Sequence, residues 1–359
     1  MKNKSQKRVR DLGIIIGNLP VGKFNAITDV DGVKAGHSTI IKGNGKLCPG
    51  KGPIRTGVTA ILPHSRNIFK EKIRGGVCIF NGFGKSVGLI QVDELGEIET
   101  PILITNTLNV WRVADCLVEW MLEQNKEIGV TEGTINPIVC ECSDAFLNDI
   151  RGRHVNKKNV FKALSDAKDG VVEEGNVGAG TGMSSFGYKS GVGTSSRIIK
   201  VDSGQYTIGC LVVSNFGRAG DLQLKGINIS KLLNERTKEE EKIIRESFIA
   251  ILATDAPFST LSLERLAKRS ALALGKVGSY SDNYSGDIFI CFSTAKRTFS
   301  FGQENKHINK FFQGVVETVE ESILNSIFMA ETLIGRDNHI KKALPVEEVL
   351  NILKRKADL

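Results

Sequence analysis

Short apolar, β-branched runs bounded by glycine and proline recur along the chain. Val58 to Leu62, Val77 to Phe80, Ile102 to Thr105, Ile138 to Glu141, Tyr206 to Asn215, Phe248 to Ala253 and Ile288 to Ser293 each predict a strand, several of them buried on both faces. Stretches with a 3.6-residue apolar repeat alternate with them. Val110, Val113, Ala114, Leu117, Val118 and Met121 form one helical stripe, Leu261 to Leu274 a second behind the N-cap candidates Ser259 and Thr260, and Val316 to Ile334 a third. Pro345 opens a short last helix where proline is tolerated. The alternation is too irregular for a doubly wound sheet, and the hairpin-like spacing predicts antiparallel pairing with helices packed outside. A layered α/β sandwich follows, with neither an internal repeat nor a linker to divide residues 1–359 into domains.

Composition narrows the classes of function. The chain is 41% hydrophobic, ample for a core, and carries a formal net charge of +8. Its basic residues are scattered, however, and the one dense patch, Lys2 to Arg10, reads as a solvated tail rather than a nucleic-acid surface. The apolar segment behind it, Gly13 to Ile16, is too short for a signal core, and no run approaches a membrane span. No nucleic acid, no membrane and a cytoplasmic location are the expectations. Seven cysteines agree with a reducing compartment, and Cys78, Cys210 and Cys291 lie in strand-like runs as small hydrophobes. Between Glu235 and Glu246 nine of twelve residues are charged, which predicts an exposed helix or mobile loop.

Two common chemistries are excluded by spacing. The glycine-rich stretch "GNVGAGTGMSSFGYKSGVG", residues 175–193, lacks the phosphate-loop pattern because Tyr188 separates Gly187 from Lys189, and it leads into a strand-like "TSSR" instead of a helix. It is expected to be a flexible or tightly turning loop of the kind that lines active sites. His37, His64, His154, His307 and His339 are far apart and none falls at a ligand spacing, so neither metal nor cofactor is expected. There is also no GxSxG elbow.

The polar residues that stand out lie at strand ends: Asn215, Glu141, Ser247, and the Ser285-Gly286-Asp287 triplet. Singly, each is explained by local turn and backbone hydrogen bonding. Together they are the parts acyl transfer needs: a hydroxyl nucleophile, a proton relay, an oxyanion donor and a substrate anchor.

These residues sit in a series of motifs, among them "GNLPVGKFNAITDVDGVKAGHSTI", "GPIRTGVTAILPH", "CECSDAFLNDIRG", "VEEGNVGAGTGM", "GTSSR", "LVVSNFG", "ATDAP" and "YSGDIFICFSTA". In this order they resemble the family of L-aminopeptidase D-esterase/amidase and the β-peptidyl aminopeptidases over nearly the whole chain. The resemblance implies a four-layer αββα sandwich similar to N-terminal-nucleophile hydrolases. It also implies a precursor that cleaves itself between Glu246 and Ser247 into chains 1–246 and 247–359. On the same grounds Ser247 is the nucleophile, Ser285 and Asp287 relay and orient, Asn215 stabilises the oxyanion, and Glu141 receives the substrate's free amine. Small peptides, aminoacyl amides or esters are the implied substrates, and a homo-oligomer of processed heterodimers the implied assembly. The sequence departs from the family pattern at Glu246, where Gly or Asn is common, and at Ser143, where some relatives have an aromatic residue. Ornithine acetyltransferase-like acyl transfer and an unprocessed, non-catalytic member are the alternatives.

Overall fold

The computed structural model describes residues 6–233 and 246–357. Of the charged run before Ser247, all but Glu246 lies outside the described residues.

The main strands are β1 (Lys34–Lys42), β2 (Ile54–Leu62), β3 (Ile73–Gly82), β4 (Glu97–Ile98), β5 (Ile102–Asn106) and β6 (Ile138–Cys142) in the first half. A small hairpin follows, β7 (Ser184–Ser185) with β8 (Tyr188–Lys189), then the long strands β9 (Val192–Val201) and β10 (Gly204–Asn215). A second small hairpin, β11 (Gln223–Leu224) with β12 (Ile227–Asn228), precedes β13 (Ser247–Thr254) and β14 (Gly286–Ser293). The larger helices are α1 (Leu89–Leu95), α2 (Val110–Gln124), α3 (Lys157–Ser165), the single turn α4 (Ile229–Leu232), α5 (Thr260–Lys276), α6 (Phe301–Phe328) and α7 (Val346–Ala357).

Four strands form one sheet in the order β1-β2-β5-β6, and six form another in the order β4-β3-β14-β13-β10-β9. Side-chain alternation along β13 shows how they stack. Ile249, Ile251 and Ala253 join the core shared with β2, β5, β6, α2 and α3, whereas Phe248, Ala250 and Leu252 join a second core with α5 and α6. The six-stranded sheet is thus covered on both faces, by the other sheet and by helices, which is why its strands read as unbroken apolar runs. With α2 and α3 on the outside of the four-stranded sheet, the layers are α, β, β, α.

Antiparallel pairing holds for most neighbours, but β5–β6 and β13–β14 are parallel. Each pair is joined through a helix, α2 and α5 respectively, because a parallel return needs a crossover that no hairpin provides. The third helical stripe also differs from expectation. Helix α6 starts at Phe301, behind a reciprocal Ser300–Gln303 capping box, and stops at Phe328; Leu333–Ile334 is instead a short strand, β15, paired with β16 (Ile340–Lys341). Ser259 caps α5 by accepting the Ser262 N–H, as its position predicts.

The basic stretch at the N-terminus is not solvated throughout. Arg8 pairs with Glu174 (2.8 Å), Val9 is buried, and Arg10 pairs with Glu321 (2.7 Å), whose carboxylate also takes the fully buried Arg197 (2.7 Å). Although burial pushes the Glu321 carboxyl up, the Arg10 hydrogen bond and the Arg197 charge hold it below the ordinary range. This network fastens the start of the chain and the polar "TSSR" strand β9 onto α6.

Candidate active site

Strand register brings the separated polar residues to one end of the six-stranded sheet. Asn215, the last residue of β10, lies directly opposite Ser247, the first residue of β13, in the antiparallel ladder. On the other side, Ser247 is level with Gly286 of the parallel strand β14, so Ser285 and Asp287 flank it along that strand. The ladder continues to Gly82 at the end of β3. A Cβ on Gly286 would stand 2.6 Å from Gly84, so only glycine allows the chain leaving β3 to approach this closely.

Glu141 comes from the facing sheet. It and Cys142 close β6, and Cys142 Sγ donates across the sandwich to the backbone oxygens of Val213 (3.5 Å) and Ser247 (3.6 Å). Burial pushes that thiol's pKa well up, so Cys142 is no rival nucleophile. Glu141 accepts the Lys85 N–H (2.8 Å) and the Thr107 hydroxyl. The strap from Phe83 to Gly88 therefore joins the sheets: it touches Gly286 at one end, holds Glu141 in its middle, and bridges to β6 through Val87 and Val139.

Each group's local chemistry is fixed by its partners. Ser247 is 3% exposed, and its Oγ accepts the Ser143 N–H at 3.2 Å. The Asn215 carboxamide oxygen accepts the Ser184 N–H (3.1 Å), which sets Nδ2 as the donor end of the amide. Ser285 Oγ donates to Asp287 Oδ1 (2.7 Å), and Ser281 donates to Oδ2. Burial raises the Asp287 pKa, with these two hydroxyls opposing the shift.

Glu246 O accepts the Gly286 N–H (3.1 Å) as part of the β13–β14 ladder. Its side chain is buried, and Oε1 has no hydrogen-bond partner among the described residues. Burial above all, with the charges of Asp282 and Asp287, drives its carboxyl up to about 7 against the opposing pull of the Gly217 backbone and Arg218.

The sequence-stretch expected to be a loop, residues 175–193, is buried and tightly turned. A Cβ on Gly193 would fall 2.0 Å from Ser322 O, and Lys189 is fully buried with Nζ donating to Gly180 O (3.2 Å) and Ser190 O. It serves the site through Ser184, which orients Asn215. Pattern reading missed Ser184, Ser281, Lys85 and Thr107 and met Ser143 only as a departure from the family pattern. Three of them act through backbone N–H groups, which no sequence displays; only the hydroxyl-rich "SYSDNYSGD" before β14 carried a trace of Ser281.

A hydroxyl, a hydrogen-bonded acid, an oriented amide and a second carboxylate brought to one end of the six-stranded sheet can support acyl transfer to serine. Comparison with known proteins bears on the family. The chain is similar to β-peptidyl aminopeptidase BapA of Sphingosinicella xenopeptidilytica, 36% identical over 97% of this chain and 91% of BapA. A solved Pyrococcus horikoshii OT3 protein superposes with a TM-score of 0.91 at 49% identity, covering 98% of this chain and 99% of that one. The L-aminopeptidase D-Ala-esterase/amidase of Ochrobactrum anthropi, a variant of the Ntn hydrolase fold, superposes with a TM-score of 0.87 at 34% identity, covering 98% and 99%. The model of peptidase family S58 matches residues 25–341, and the chain belongs to that family.

Proposed function

We propose that this S58 member is a self-processing serine aminopeptidase and amidase, with Ser247 as nucleophile. Its family and the names of its relatives carry the aminopeptidase assignment. The serine mechanism is supported chiefly by one observation: register sets Asn215, Ser247 and Gly286 side by side, with Glu141 facing them from the other sheet.

In this reading the substrate's free amine is held by Glu141 as an ion pair, which restricts attack to a chain terminus. Ser247 Oγ adds to the carbonyl carbon of the first residue. Its proton passes to Ser247's own α-amine, freed by processing, or through Ser285 to Asp287, and then to the departing amine as the C–N bond breaks. Asn215 Nδ2 and the Ser143 N–H are the donors for the oxyanion. Water then hydrolyses the ester and restores the hydroxyl. Amides and esters share this route.

Self-processing is the same addition made on Glu246. Ser247 Oγ attacks the Glu246 carbonyl, polarised by the Gly286 N–H; the peptide nitrogen leaves as the α-amine, and water opens the resulting ester. Chains 1–246 and 247–359 result. Intact-mass measurement with an aminoacyl p-nitroanilide assay tests the whole reading. Two fragments divided between Glu246 and Ser247, with turnover, are expected; a lasting single chain of 39.1 kDa without turnover refutes it.

The buried Glu246 carboxyl adds a pH dependence. Its pKa is raised, so the stabilisation of the buried, neutral form is complete below the ordinary carboxylate range and is lost as pH rises through about 7. The melting temperature of an uncut Ser247→Ala precursor is expected to fall from pH 6 to pH 8. Glu246→Gln, uncharged throughout, should flatten that profile; an unchanged profile would exclude Glu246 as the titrating group.

A further inference from the structure

At the same end of the six-stranded sheet two aromatic rings stand in solvent. Phe83 is 40% and Tyr284 60% exposed, and they meet edge to face with centroids 5.4 Å apart. Single exposed apolar residues are ordinary, but these two occupy the segments that build the site. Phe83 begins the strap that holds Glu141 through the Lys85 N–H, and Tyr284 directly precedes Ser285. The Phe83 backbone also packs against Gly286, which is level with Ser247. The pair is therefore fixed to the amine anchor on one side and to the relay strand on the other.

We propose that Phe83 and Tyr284 form the subsite for the side chain of the substrate's first residue, and that this subsite selects aromatic and large aliphatic aminoacyl groups. The inference rests on the proposed placement of the amine on Glu141 and of the scissile carbonyl at Ser247. Given that placement, the carbon bearing the amine lies nearest the strap, and its side chain meets the rings, while the leaving group extends from the far side of the carbonyl. Apolar side chains gain from covering the exposed rings, and aromatic ones gain the favoured edge-to-face or offset geometry. Basic side chains gain nothing similar. Lys85 Nζ already lies 3.6 Å from the Phe83 ring centroid, occupying one face and repelling a second cation.

The test uses the full-length protein with Phe-, Leu-, Ala- and Lys-p-nitroanilide. In parallel it uses alanine amide, alanine p-nitroanilide and Ala-Phe amide, which vary the leaving group alone. The wild-type kcat/KM for the Phe and Leu substrates is expected to exceed that for Ala by about tenfold or more, with Lys poorest. Phe83→Ala and Tyr284→Ala should each bring the Phe:Ala ratio down several-fold, and the double variant close to one. A ratio that persists in the double variant overturns the proposal. So does a parallel fall for Phe and Ala substrates, which marks a merely structural role, or a change confined to the leaving-group series. A shift in oligomeric state by size-exclusion chromatography with selectivity intact would make the pair a subunit contact and equally overturn it. If wild-type protein hydrolyses none of these compounds, the aminopeptidase reading itself fails, a result distinct from hydrolysis without side-chain selectivity.

Discussion

Replacing Ser247 by Ala is expected to lower kcat on an aminoacyl p-nitroanilide by about four to six orders of magnitude and to leave the chain uncut. The size follows from losing the group that forms the acyl-enzyme in this reading. Among the described residues the neighbouring thiol cannot take its place. Cys142 is the nearest thiol, but it is buried, its pKa is raised, and its Sγ is engaged with the backbone oxygens of Val213 and Ser247. The fold should tolerate the change. Alanine keeps the β13 backbone and gives up one acceptor for the Ser143 N–H, a cost of about 1–3 kcal/mol. Steady-state kinetics and intact mass check both outcomes, and far-UV circular dichroism with a melting curve separates lost chemistry from lost fold. Turnover within about tenfold of wild type would remove Ser247 from the nucleophile's place.

Asp287→Asn is the second large effect, with a fall in kcat of about three to four orders of magnitude by analogy with orienting acids in serine hydrolases. Asp287 accepts from both Ser285 and Ser281, and an amide offers one acceptor atom where the carboxylate offers two. The pH profile distinguishes this role from simple packing. Burial raises the Asp287 pKa, so its ionised form is lost at a higher pH than for an ordinary carboxylate, and activity that needs the charge rises with pH through that displaced value. The wild-type kcat/KM profile should thus show an acid limb above the usual carboxylate range, absent from the residual activity of Asp287→Asn. An acid limb retained in the variant would transfer the titration to another group.

How far the site could be read in advance varied with the kind of interaction. Ser247, Asn215, Glu141, Ser285 and Asp287 were visible because each interrupts or ends an apolar run, where a polar side chain is conspicuous. Their partners were not. Ser143 and Lys85 contribute N–H groups present at every non-proline position, and Ser184 reaches Asn215 only because residues 175–193 fold back against the end of β10. Glu246 stands where Gly or Asn is common in the family. The structure shows a cost in its side chain, a buried carboxyl oxygen without a partner among the described residues.

The sequence by itself determined most of the long strands, the helices α2, α5, α6 and α7 and the sidedness of the layers, because hydrophobic periodicity is local and each element must bury its apolar face. It also carried the family, through motifs spread along the chain. Only the tertiary structure decided that β13 and β14 run parallel, setting Ser285 and Asp287 on either side of the position level with Ser247, and that β6 of the facing sheet brings Glu141 to the same end of the sandwich. Pairing partners and register depend on contacts between residues far apart in the chain, and a shift of one residue would turn every side chain to the opposite face.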